Sequence, residues 1–226
     1  MAQQDQRARL QPKNIGKALT ILGPNTSDNL LYPLYSTNGV LFPYTPTVQT
    51  GTSAEYDNTP FSQTNYSYNN YIRTSTKEIS ITAEFTAQSN DEALYLLAVI
   101  HFFRSVMKTY FGISPYNRAG TPPPVLLFNY LGEYQFNNVP VVVKEVSYSL
   151  PNNIDYVAVD TTGVKTKYSD NIEVNLPASS SGGYTWVPTH LSISITMDTQ
   201  YIPIKVRNEF NLDEFRRGDL MKKGFI

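Results

Sequence analysis

Two segments far apart in the chain alternate strictly between apolar and polar side chains. From Lys77 to Ala87, Ile79, Ile81, Ala83 and Phe85 share one side, and Glu78, Ser80, Thr82 and Glu84 share the other. From Leu191 to Thr199, Leu191, Ile193, Ile195 and Met197 oppose Ser192, Ser194, Thr196 and Asp198. Such strands belong to an antiparallel sheet with one dry face and one wet face. The dry face requires cover. The wet face carries Glu78, Glu84 and Asp198 and no base once Lys77, at the strand's entry, is set aside.

The cover follows the first strand directly. Ser89 and Glu92 have capping-box spacing, and Asp91 and Glu92 place two acids in a first helical turn, where the helix dipole favours them. Leu96, Val99, Ile100, Phe103, Val106, Met107 and Tyr110 then recur at helical spacing, opposite His101, Arg104, Ser105 and Lys108. The pattern predicts a helix over about 90–111, stopped at Gly112. The expected helix–sheet core is Ile79, Ile81, Phe85, Leu96, Ile100, Phe103, Met107, Ile193 and Ile195.

Further apolar runs at 125–130 and 139–150 read as strands, with Pro115 to Pro124 as a loop before them. Residues 23–75 are rich in Pro, Asn, Thr and Tyr. Strands are expected there around 39–49 and 65–75, since a structureless loop of that length is uncommon in a compact domain. Ala18 to Leu22 reads as a short strand, and Asn171 to Leu176 as another inside a polar excursion at 151–190. Residues 1–22 read as a basic N-terminal arm carrying Arg7, Arg9, Lys13 and Lys17, of the kind that is usually disordered or docks on an acidic neighbour or a phosphate. Residues 205–226 read as a solvated tail of mixed charge, including Arg216 and Arg217, with a helical turn near 211–220. The expected organisation is therefore an N-terminal arm, one domain over 23–204, and a C-terminal tail. The fold class is α+β, mainly β: an antiparallel sheet or half-barrel with one main helix on its outer face.

Composition narrows function by elimination. Net charge is −1, which argues against a global electrostatic grip on nucleic acid. There is no cysteine, so disulfides, thiolate metal sites and cysteine nucleophiles are excluded. The start MAQQDQRARL lacks an apolar signal core, and no stretch approaches the unbroken apolar length of a membrane span. A cytoplasmic site of synthesis is the expectation. No phosphate-cradling glycine motif is present, and Gly51-Thr52-Ser53-Ala54-Glu55 lacks the last glycine of a nucleophile elbow. His101 and His190 are the only histidines, in unrelated elements. Glu78 and Glu84 lie roughly 20 Å apart along one strand, too far for paired acid–base work within it. The chain is not expected to be an enzyme or to hold a cofactor or metal.

What remains is surface. Charged residues are only 16% of the chain, while Tyr numbers 17 and Phe 11, a balance suited to contact with other protein. Tyr56, Phe61, Tyr66, Tyr68 and Tyr71, with Trp186, form an alternative platform for carbohydrate or a receptor on a β-sandwich.

The order of elements over 74–210 resembles the tail-tube fold of contractile injection machines, and more specifically looks like the baseplate tube-initiator proteins of contractile-tailed phages. Four pieces carry the likeness: KEISITAEFTAQSNDEALYLLAVIHFFRSVMKTYFG, then PPPVLLFNYLG, then NVPVVVKEVSYSLPNNIDYV, then VPTHLSISITMDTQYIPI. Residues 1–70 have no counterpart in that pattern. The resemblance implies a ring of six copies whose sheets join edge to edge, placed in the virion tail between the baseplate hub and the tail tube. The ring would nucleate tube polymerisation and later let DNA pass without binding it. On that reading Glu78, Ser80, Thr82, Glu84, Ser192, Ser194, Thr196 and Asp198 face the lumen, and an acidic wall repels phosphate. Arg7, Arg9, Lys13, Lys17, Arg216 and Arg217 would belong to assembly arms.

Overall fold

A computed structural model describes residues 6–13, 21–23, 25–26, 29–111, 120–161 and 184–226. The expected strand at 171–176, most of that at 18–22, the helix stop at Gly112 and Lys17 lie outside the described residues.

The chain is mainly β, built on a large antiparallel sheet. Its strands are β1 (Arg9–Pro12), β2 (Val40–Leu41), β3 (Thr47–Gln49), β4 (Thr52–Thr59), β5 (Tyr68–Thr76), β6 (Ile79–Thr86), β7 (Leu126–Tyr130), β8 (Phe136–Tyr148), β9 (Tyr156–Asp160), β10 (Tyr184–Pro188) and β11 (His190–Thr199). Seven of them form one sheet in the order β2-β1-β7-β8-β11-β6-β3, while β4–β5 and β9–β10 are separate two-stranded ribbons. The two alternating segments are adjacent: Ile193 pairs with Ala83, Ile195 with Ile81 and Met197 with Ile79. All eight of their apolar residues are buried. Sequence alternation thus becomes a common dry face.

The large sheet is curled, and simple geometry requires it. Its edge strands, β2 and β3, belong to one short segment. The chain from Leu41 to Thr47 reaches at most about 21 Å when fully extended. A flat sheet of seven strands at about 4.8 Å spacing would span about 29 Å between its outer strands. Residues 40–49 therefore bridge the gap as the sheet rolls round its apolar side. Phe42 is fully buried and its ring lies 5.7 Å from that of Phe85 on β6. The Phe42 N–H donates to the Ala8 carbonyl (3.0 Å), and the Tyr130 hydroxyl donates to the Pro46 carbonyl (3.3 Å).

Helix α1 (Asn90–Val106) covers the dry side. Ser89 Oγ accepts the Glu92 N–H (3.3 Å) and Glu92 Oε2 accepts the Gln88 N–H (2.8 Å), so donors otherwise left open at the helix start are satisfied. Leu96, Ile100 and Phe103 are buried, and Met107 packs against the same core. The burial is wider than one stripe, because Ala98, Val99 and Phe102 are also enclosed. The helix stops at Val106, short of the expected Phe111. The Lys108 N–H turns back to Ser105 O, and Tyr110 exchanges backbone bonds with residues 120 and 121 instead of with the helix. Tyr95 locks α1 to the bridging segment: its hydroxyl accepts the Leu41 N–H (2.8 Å) and donates to the Leu41 carbonyl (3.2 Å). Burial pushes the Tyr95 phenol up, against the opposing pull of its hydrogen bonds to Thr37 and Leu41.

Three expectations of the sequence reading are corrected. Residues 9–12 are not part of a free arm: β1 pairs with both β2 and β7, with Ala8, Leu10 and Pro12 buried. The excursion at 151–190 is anchored at both ends by the β9–β10 ribbon, which packs on α1 through Val159 and Val187. The C-terminal tail is folded. It forms α2 (Pro203–Glu209) and α3 (Leu212–Arg217), so the expected break at 204–205 falls inside a helix. Leu220 is fully buried and Phe225 almost so, with Phe225 stacked on Tyr201 at 5.2 Å between ring centroids.

Candidate functional site

The uncovered side of the sheet presents the eight polar residues singled out from the sequence. Glu78, Thr82, Glu84, Ser192 and Ser194 are exposed, and Ser80, Thr196 and Asp198 are half-buried. Register sets them in rows: Ser192 opposite Glu84, Ser194 opposite Thr82, Thr196 opposite Ser80. Thr82 and Ser194 hydroxyls lie 3.4 Å apart across the strands. Thr47 and Gln49 extend the face on β3, where they pair with Thr82 and Ser80.

This face is not free of bases. Lys144 on β8 donates to Glu78 and lies 3.4 Å from Asp198, so one ammonium sits between two of the acids. The hydrogen bond to Glu78 pushes the Lys144 ammonium pKa up; desolvation opposes it, and the charges of Asp198 and Glu78 add to the rise. His190 Nε2 lies 3.7 Å from Glu84 Oε2. A fourth acid, Glu145, stands opposite Thr196.

Lys144 and Glu145 share the wet face because of a bulge. Thr196 pairs with Glu145 and Met197 with Val143, leaving Lys144 as the extra residue. The sequence carries the signal. Val139, Val141 and Val143 keep one phase, while Val146 and Tyr148 keep the other; one inserted residue returns both sets to the dry side.

The second surface is the β4–β5 ribbon. Its strands pair with each other from Thr52 opposite Thr76 to Thr59 opposite Tyr68. Nearly every residue of both strands is exposed. The root is held by the Lys77 N–H donating to Gly51 O at 2.7 Å, and Glu55 pairs with Arg73 at 2.6 Å. Tyr56, Phe61, Tyr66, Tyr68 and Tyr71 are all exposed, Tyr66 at 87%. Two-stranded ribbons are marginal alone in water. Trp186 is exposed on a different ribbon, β10. The aromatic pairs Tyr56–Tyr71 and Phe61–Tyr68 meet edge-on, at 72° and 81°, rather than as one flat row.

The residues assigned to assembly arms are dispersed. Arg7 and Arg9 line a cleft of about 360 Å³ together with Gln11, Asn129, Glu133 and Asn138. Lys13 is exposed. Arg216 and Arg217 are exposed on α3 and face Asp213 (3.6 Å) and Asp219 (3.1 Å).

Among the described residues no group of three or more His, Cys, Asp or Glu could hold a metal ion, and no helix is long and apolar enough to cross a membrane. His101 lies on the exposed stripe of α1, where partial desolvation and then Arg104 lower its pKa. Comparison with known protein families finds no family model that matches the chain. No curated protein matches it either.

Proposed function

We propose that this chain is a structural ring subunit of the tail-tube type, placed in the baseplate of a contractile phage tail, where it joins the central hub to the tail tube and starts tube polymerisation. The observation that carries the reading is the β4–β5 ribbon: a long hairpin, exposed on both faces and rich in Tyr, that the other described residues leave uncovered. Such a surface suits contact with other subunits. The resemblance over 74–210 supplies the kind of assembly, a ring of about six copies.

The main sheet suggests how the ring is joined. Its two edges are only two and three residues long, and one bridging segment supplies both. Short edges resist open-ended strand pairing. The ribbon, rather than a long run of edge-to-edge pairing, is the larger surface on offer.

The polar face then lines the bore. Four carboxylates (Glu78, Glu84, Glu145 and Asp198) stand against Lys144, with Ser and Thr hydroxyls between. The wall stays acidic, which repels phosphate, and Lys144 moderates it by holding two of the acids. The carbohydrate-binding alternative has less support, since the exposed rings meet edge-on and Trp186 stands on another ribbon.

The test is mass in solution by light scattering, for the intact chain and for a variant in which a short turn replaces residues 53–75. The intact chain is expected at a multiple of 25.5 kDa and the shortened chain at the monomer mass. An intact chain that stays monomeric at all concentrations and salts would overturn the reading.

A further inference from the structure

Ala8, Leu10 and Pro12 are buried, so Arg7, Arg9 and Gln11 between them share the polar side of the sheet. Arg9 stands opposite Asn129 on β7. The β7–β8 turn and the start of β8 complete the lining of the cleft of about 360 Å³ that both arginines enter. The acids of the polar face are elsewhere. Glu78, Glu84, Asp198 and Glu145 belong to the β6–β11–β8 end of the sheet, while β1 and β7 carry no acid. Glu133, the carboxylate of the cleft, lies 3.6 Å from the Lys222 ammonium.

The amides of the cleft are held in place. Asn138 has a φ of +52°, a region that asparagine enters more readily than most residues. In that conformation its N–H donates to Asn129 Oδ1 (2.7 Å). The bond fixes which way the Asn129 amide is turned, and leaves Nδ2 on the β1 side, 3.5 Å from Gln11 Oε1. Asn138 Nδ2 donates to Asn137 Oδ1 (3.1 Å), and Asn137 Nδ2 donates to Lys222 O (2.9 Å). The wall is therefore braced from the C-terminal segment, and the donors of Asn129 are set before any ligand arrives.

We propose that this cleft binds a phosphomonoester group, clamped by Arg7 and Arg9 and positioned by the amides of Asn129 and Gln11. Two guanidiniums two residues apart on a strand sit roughly 7 Å from each other, a span that two long side chains close onto one group. Each guanidinium has five donors in a fixed fork, so bonds within the chain leave others for a ligand. A carboxylate offers about four lone-pair sites, which two forks already fill. The added amide donors call for the further oxygens of a phosphate. The inference is independent of whether copies assemble.

Isothermal titration calorimetry on the intact chain tests it, with inorganic phosphate, a nucleoside 5′-monophosphate, acetate, and a short oligonucleotide that has only diester phosphates. The two phosphomonoester-type probes are expected to bind more tightly than acetate or the oligonucleotide. Arg9→Gln and Arg7→Gln should each weaken that binding about 10–100-fold, as loss of a charge-assisted contact does. Asn129→Asp keeps an oxygen for the Asn138 N–H, so it should leave the melting temperature in place while it abolishes phosphate binding. Glu133→Gln removes the carboxylate of the cleft and should tighten binding a few-fold, a gain that misfolding does not produce. No heat with either phosphate probe, or binding that Arg9→Gln and Asn129→Asp leave unchanged, overturns the site. Acetate or the diester oligonucleotide binding as tightly as the monophosphate overturns the choice of ligand.

Discussion

Gly224 and Gly218 have the same backbone conformation and differ in what surrounds them, so substituting each by alanine separates strain from steric clash. Both have φ of +84°, a region that costs an L-residue roughly 1–2 kcal/mol. A Cβ on Gly218 meets only the Tyr134 ring, at 3.3 Å, and that side chain is more than half exposed and free to swing away. A Cβ on Gly224 meets the Asn138 carbonyl at 2.7 Å and the Asn137 carbonyl at 3.1 Å. Those carbonyls are anchored. Asn137 Nδ2 donates to Lys222 O (2.9 Å), and the Asn138 N–H donates to Asn129 Oδ1 (2.7 Å). Gly218→Ala is therefore expected to cost about 1–2 kcal/mol, a fall in Tm of about 2–8 °C for a chain of this size. Gly224→Ala adds a backbone clash that the tail relieves by undocking. That loses the burial of Leu220 and Phe225, worth up to about 3–6 kcal/mol before the entropy regained by the freed segment. The assay is hydrogen exchange over residues 201–226 beside a thermal melt. Gly224→Ala should lose protection across 220–226, while Gly218→Ala keeps it. Equal protection in the two variants, or greater loss in Gly218→Ala, would refute the reasoning that the tail is buttoned to β8 at Gly224.

Phe85→Ala empties a fully enclosed site against Phe42 and should cost about 3–5 kcal/mol by denaturant unfolding. Ser89→Ala removes the oxygen that accepts the Glu92 N–H and should cost about 1 kcal/mol, with Ser89→Gly costing less. Tyr201 gives a pH signature. Burial pushes its phenol up to about 12 from 10, with the hydrogen bond from the Ile226 N–H opposing. The unfolded chain loses this proton first, so the contribution is complete below pH 10 and disappears between pH 10 and about 12. It amounts to at most about 2–3 kcal/mol. A Tyr201→Phe variant should show a shallower loss of stability over that window in pH-dependent melts.

The parts of the fold that could be read from the sequence are those where one local pattern decides burial. Strands β6 and β11 alternate without a break and α1 has both its cap and its stripe, so each element's dry side follows from its own residues. Even the bulge at Lys144 is written in the chain, as the slip in phase between Val143 and Val146. The curl of the sheet is not written locally. It follows from β2 and β3 finding opposite edges while joined by a few residues, and the two strands are too short to announce themselves. Strand β1 is hidden for a related reason. Only Ala8, Leu10 and Pro12 point inward, and Arg7, Arg9 and Lys13 around them read as a solvated arm. The C-terminal dock depends on Leu220 and Phe225, which sit in two short apolar pairs (Leu220-Met221 and Phe225-Ile226) with no helical or strand period to mark them, and whose burial comes from Tyr201 and β8 far back in the chain. At the polar face, Glu78, Glu84 and Asp198 could be placed from the sequence. Lys144 between them could not, because it arrives from a third strand through the register of β8 on β11.

If six copies close into a ring whose bore is walled by the polar face of β6 and β11, averaged electron micrographs of the purified chain will show closed particles of about six subunits around an open hole, with α1 at the outer rim and Thr82 and Ser194 at the bore. Monomers under every condition, or rings with α1 lining the hole and the polar face turned outward, would contradict it.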